Sequence, residues 1–222
     1  MHGDRVLFID GEALVIDKPA GLPVDKPRDG SLSLENHLDS LKFGFQRWPT
    51  AVHRLDRDTS GCLLLSRNPK AQARFQQAFE RGEVEKRYLA ILSGIPVESE
   101  GVIEMALGKT STREEGWRIV EDPKGKASRT AWRVIATRDE HALVEFRPTT
   151  GRTHQIRVHA ASGLGLPVVG DPVYGAGEPG GMMLHAAALT VPRANKDPIV
   201  AEAPLPERFG PWPGIVSATP AD

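Results

Sequence analysis

Turn chemistry limits what this chain can become. Its 222 residues include 22 Gly and 18 Pro, and the apolar runs between them are only five to nine residues long. Long uninterrupted helical periods, which a bundle needs, are missing. RVLFI (5–9) and ALVID (13–17) flank Asp10-Gly11, a hairpin signal. TAWRVIAT (130–137) and HALVEFRP (141–148) pair in the same way around a tight turn at 138–140. KRYLAILSG (86–94) reads as a strand ended by Gly94 and Pro96, and MLHAAALTV (183–191) is a further apolar run. Residues 108–130, polar and basic, read as a hairpin or an exposed loop.

Two stretches favour a helix. Asn68-Pro69 opens one in which Ala71, Phe75, Ala78 and Phe79 follow helical spacing and Gly82 stops it. THQIRVHAAS (153–162) is the other, with Ile156, His159 and Ala160 on one face. Ser33 is a weak cap for a short helix from Leu34. The pattern predicts an α+β fold, a mainly antiparallel mixed sheet with a few flanking helices, in one catalytic domain spanning 1–222. Gly163-Leu-Gly165 lacks the strand and later glycine of a dinucleotide site. No run approaches the roughly 20 apolar residues of a membrane-spanning helix. The lone Cys62 lies in an apolar run, which predicts a small buried residue in a reducing, cytoplasmic setting.

Net charge is −1, but it is unevenly spread. Residues 42–87 hold 10 Lys/Arg against 5 Asp/Glu, and 109–138 hold 8 against 4, while both ends are acidic. Brought to one face, the two basic segments would neutralise phosphates; solvated surface charge is the plain alternative.

The densest chemistry is in HRLDRDTSG (53–61), where Arg54, Asp56, Arg57 and Asp58 precede the apolar CLLLS. A carboxylate beside guanidinium groups stays ionised and is a competent nucleophile toward an electron-poor sugar carbon. Asp58-Thr59-Ser60-Gly61 has a structural account as a turn into the strand; Asp56 has none beyond a surface ion pair. The second constellation is residues 149–175. His154 and His159 are five apart, the wrong spacing for one helix face, so no metal site is predicted. Arg157, between Ile156 and Val158, is expected to be partly buried and to need a carboxylate; Asp56 is the candidate partner. Tyr88, after Lys86-Arg87, is either a strand-pairing aromatic or a base-stacking one.

HRLDRDTSG, KRYLAILSG, GRTHQIRVHAASGLGLPVVGDPVYG and LHAAALTV, in that order, resemble the RluA family of RNA pseudouridine synthases, over 17–24 to 202–209. The resemblance implies isomerisation of uridine in structured RNA, ribosomal or transfer, by a monomer that uses no metal or organic cofactor. It places the catalytic aspartate on Asp56, its partner arginine on Arg157 and the active-site tyrosine on Tyr88. Arg54 would hold the target nucleotide out of the stack, with His53 and Arg152 as further substrate-binding residues. Extrusion is required because the reacting atoms are inaccessible inside a helix. Two departures bear on substrate choice: Pro23-Val24-Asp25 where the family has histidine after the valine, and VPRANKDP after the LHAAALTV run. The chain starts directly at the catalytic domain, so that domain itself is expected to grip RNA as a monomer. A base-excising carboxylate glycosidase and a catalytically silent RNA-binding protein are the rival readings.

Overall fold

The computed structural model describes residues 5–27, 29–114 and 116–212. In chain order the elements are β1 (Val6–Ile9), β2 (Ala13–Lys18), β3 (Thr50–Ala51), β4 (Ser60–Ser66), α1 (Pro69–Glu80) and β5 (Glu85–Leu92). They continue with β6 (Glu100–Thr112), β7 (Gly116–Glu121), β8 (Lys126–Arg138) and β9 (His141–Pro148). The last are α2 (Gln155–Val158), β10 (Leu184–Val191) and β11 (Ile199–Glu202). The chain divides into two compact units. The first takes in the described residues up to Lys86 with Ala186–Pro204, the second Arg87–His185 with the described residues from Leu205.

In the first unit β1 pairs antiparallel with β2, β2 with β4, and β10 with β11; β3 adds two residues beside β4. The β1–β2 turn forms where Asp10-Gly11 predicts it. The Asp10 carboxylate accepts the Glu12 and Ala13 N–H groups, both at 2.8 Å. Helix α1 starts at its sequence signal, with the Asn68 side chain accepting the Ala71 N–H at 2.9 Å. Its Ala71, Phe75 and Ala78 bury against Ala13, Val15, Cys62 and Leu64; full burial of a side chain such as Phe75 contributes roughly 1.5–3 kcal/mol. Burial pushes the Cys62 thiol up to about 12, so it is an inert core residue. Every residue of β4 is buried. At its entrance Gly61 has φ +106°, and a Cβ there would strike the Ala186 backbone of β10, so glycine is required twice over.

The second unit is an antiparallel run in the order β5-β9-β8-β6-β7. The polar segment 108–130 resolves into a hairpin, β6–β7, which turns back into β8. The helix read over 153–162 is shorter and less regular than its spacing predicts. His154 sits at φ +52°, α2 spans four residues, and the chain continues as a wider π turn over His159–Gly163. Gln155 through Ala160 are all buried, so the stripe of Ile156, His159 and Ala160 is one part of a segment covered on every side. With few helices and antiparallel ladders, the architecture is the predicted α+β class.

Candidate active site

The first unit presents the charged loop. Strand β3 delivers the chain to His53, whose ring stacks on Phe79 at 4.6 Å and accepts the Leu64 N–H at its Nε2, 3.1 Å away. Desolvation, with the nearby Lys86 charge, pushes this imidazole down to about 4. His53 was expected to bind substrate; its ring is instead neutral and committed to joining β4 and α1. Arg54 is fully at the surface, its Nη1 3.2 Å from Asp25 Oδ2 with 76% of its side chain exposed. So exposed a pair is weak, leaving the guanidinium available to a phosphate. Asp25 stands where the family pattern has histidine. The sequence departure therefore falls on the residue that touches Arg54.

Asp56 is half-buried and opens a β-turn in which the Thr59 N–H donates to the Asp56 carbonyl at 3.1 Å. Asp58 lies within the turn, 3.8 Å from Arg57 Nε, matching its structural reading. The turn is tied down by a residue that no motif singles out. Lys18, at the end of β2, is fully buried. Its Nζ donates to the carbonyls of Pro19 and Leu22, both at 2.8 Å, and of Arg57 at 3.0 Å. One ammonium thus joins the Pro/Gly loop after β2 to the turn that carries Asp56.

The second unit presents Arg157. Its Nε and Nη2 donate to the two oxygens of Asp171, each at 2.7 Å, in a buried fork-to-fork pair. Asp171 Oδ1 also accepts the Val173 and Tyr174 N–H groups, at 2.8 and 3.1 Å. Burial works to raise this carboxyl, but the Arg157 hydrogen bonds and charge, with the two amides, hold it below the usual carboxylate range. Asp171 is thus a buried carboxylate partner of Arg157 that the sequence reading did not single out. GDPVYG (170–175) reads as a turn in sequence, and nothing there distinguishes an acid that will be buried.

Tyr174 completes this block. Its ring lies 5.1 Å from the Arg157 guanidinium. Its hydroxyl accepts the Ile119 N–H of β7 at 3.0 Å and meets His154 Nδ1 at 2.9 Å. The other predicted histidine, His159, is buried with Nε2 2.7 Å from Ser128 Oγ, and burial pushes it down to about 4. Both histidines are packed and hydrogen-bonded, and they fix the segment that bears Arg157. Arg152 is at the surface, its Nε donating to the Ala127 carbonyl at 3.1 Å. Gln155 locks the bend before it: Oε1 accepts from Thr150 Oγ1 and Arg152 N, and Nε2 donates to Thr130 Oγ1.

Tyr88 pairs with Phe146, and Phe146 with Trp132. Residues directly opposite share a face, and so do Trp132, Thr130 and Ser128 along β8. Thr130 and Ser128 are the partners of Gln155 and His159. Half-buried Tyr88 therefore lies on the same face of this sheet as the segment carrying Arg157. Among the described residues no three metal-ligand side chains converge.

The sequence model of the RNA pseudouridylate synthases matches residues 12–162. An uncharacterised RNA pseudouridine synthase of Zymomonas mobilis is 61% identical over 208 residues, covering 92% of this chain and 95% of that protein. The ribosomal large subunit pseudouridine synthase D of Nitrosomonas europaea is 34% identical over 91% of this chain, which spans 62% of that protein. Among solved structures, human RNA pseudouridylate synthase domain containing 1 is similar with a TM-score of 0.76 at 31% identity, over 90% of this chain and 82% of that one.

Proposed function

The chain belongs to the RNA pseudouridine synthase family and isomerises uridine in RNA; from that premise we propose that Asp56 is its essential catalytic residue and that Arg157 and Tyr88 complete the chemistry. The reaction breaks the N1–C1′ bond and rejoins the base through C5. Asp56 brings a negative charge to a sugar that gains positive character as the bond breaks. Arg157, already gripped by Asp171, is a guanidinium that cannot drift when charge changes nearby. Tyr88 is the aromatic surface for the detached base. Arg54, exposed and loosely paired, holds the displaced nucleotide, and Arg152 takes a phosphate at the surface. The observation that carries this reading is the anchoring of Asp56's turn by a buried ammonium, which fixes the carboxylate's backbone while leaving its side chain half-open.

We assign ribosomal RNA as the substrate class, which the name of the Nitrosomonas europaea relative supports. The test is Asp56→Asn, assayed by pseudouridine mapping of RNA from cells lacking the gene after treatment with each enzyme. Turnover is expected to fall at least about 10³-fold with RNA binding and melting temperature kept. Substantial remaining turnover removes Asp56 from the central role. Release of free uracil would favour the glycosidase reading.

A further inference from the structure

The first unit holds a second feature suited to RNA, separate from the charged loop. Between β2 and β3 the chain exposes Phe43, Phe45 and Trp48, the last with 60% of its surface open. Exposed large aromatics gathered in one loop call for a partner. This loop is built rather than slack. Buried Arg67 donates from Nη2 to the Lys42 carbonyl at 2.6 Å, and its guanidinium lies 3.6 Å from the Phe45 ring centroid. Phe43 is held at φ +46°, a left-handed conformation that a bulky residue adopts only when its surroundings impose it. Trp48 is aimed by its indole N–H, which donates to Asp39 Oδ1 at 3.3 Å, and by Lys42 Nζ, 5.6 Å from its ring.

Beside Trp48 lies a cavity of about 420 Å³ lined by Lys26, Glu35, Asn36, Leu38 and Trp48. That is within the range of small-ligand pockets, roughly 300–1,000 Å³. An aromatic wall, an ammonium and hydrogen-bonding side chains are what an unpaired nucleotide requires. Lys26 follows Asp25, whose carboxylate pairs with Arg54 in the charged loop. The lining residue Lys26 is therefore the chain neighbour of the residue that pairs with Arg54.

We propose that this pocket seats an unpaired nucleobase of the RNA substrate next to the target uridine, stacked on Trp48 with its phosphate drawn to Lys26. The idea rests on the RNA reading above and adds a binding position to it. Because Asp25 links the pocket to Arg54, an occupant meets the same segment that restrains the residue assigned to the displaced uridine.

Fluorescence anisotropy with a labelled, unpaired RNA oligonucleotide of mixed sequence tests this. Trp48→Ala is expected to weaken binding roughly 5- to 100-fold, and Trp48→Phe to restore most of it. Lys26→Ala is expected to weaken binding a few-fold and to flatten its salt dependence. With RNA from cells lacking the gene as substrate, Trp48→Ala should raise KM and leave kcat at saturation unchanged. Equal melting temperatures show that the exposed loop tolerates the changes. Wild-type binding by Trp48→Ala, a loss confined to kcat, or failure of the wild-type enzyme to bind the oligonucleotide each overturns the proposal. If the wild-type enzyme also makes no pseudouridine, the RNA reading falls with it; if it does, only the pocket is lost.

Discussion

The turn that carries Asp56 and the segment that carries Arg157 are both fixed, but by different means. In the first unit the grip is on backbone: Lys18 takes three carbonyls, one of them Arg57's, and the carboxylate itself stays half-open. In the second unit the grip is on the side chain: Asp171 takes the Nε–Nη2 edge of the guanidinium, and Tyr174 lies against it. The group proposed to meet substrate is positioned through its main chain, whereas the group proposed to hold a fixed charge is enclosed. Stability and activity should therefore separate differently in the two units.

The largest effect on stability is expected where the charge is enclosed. Arg157→Ala leaves Asp171 buried without its guanidinium, at a cost of about 3–5 kcal/mol, read as a lower melting temperature. Replacing both partners together, Arg157→Met with Asp171→Leu, should recover much of that stability and none of the activity. If the double variant is as unstable as the single one, the enclosed pair is more than an electrostatic lock.

Lys18→Met should cost about 2–3 kcal/mol, since carbonyls lose a charged donor. It should also reduce kcat at unchanged RNA binding, because the Asp56 turn loses its tether. A stable variant with full turnover would show that the turn holds its shape unaided.

Acid sharpens the comparison further. His53 and His159 have folded-state values near 4, below the ordinary 6.5 or so of an unfolded histidine. The unfolded chain then binds more protons, so stability falls as pH drops from about 6.5 toward 4, by up to about 1.4 kcal/mol per pH unit for each histidine. Asp171 is depressed as well, so its contribution persists above the ordinary carboxylate range and is lost only as pH falls through its lower folded value. Denaturant melts at neutral and mildly acid pH, with His159→Gln alongside, check the slope; a variant as acid-sensitive as the parent would assign it elsewhere. Asp25→Ala should be the mildest change, about 0–1 kcal/mol, because Arg54 and Asp25 are both exposed.

Much of this was legible in the sequence, for reasons that differ by residue. Helix α1 declared itself because its start, its apolar face and its stop are all local. The two outer hairpins did so through Asp10-Gly11 and the tight turn at 138–140. The motif-bearing loops could be recognised because their residue order is specific. The partner of Arg157 could not be read this way. Asp171 lies fourteen positions on, in a stretch that spells only a turn, and it becomes a partner when the loop folds back. Lys18 escaped notice because a lysine at a strand end usually points to water, and only packing shows it enclosed. The packing of His53 was not legible either, because its contact with Phe79 joins residues far apart in the chain. The helix over 153–162 lost regularity because burial on every side removed the periodicity that would have defined it.

The Tyr174 hydroxyl has a consequence for how such enzymes diverge. It clasps the β7 backbone at Ile119 and touches His154, while its ring faces Arg157. The root of the β6–β7 hairpin is thereby welded at Ile119 to the segment that carries Arg157. A shift of register there would be transmitted to the arginine, so inherited change is costliest at this point of the strand. Diversity of targets should accumulate outward from this weld.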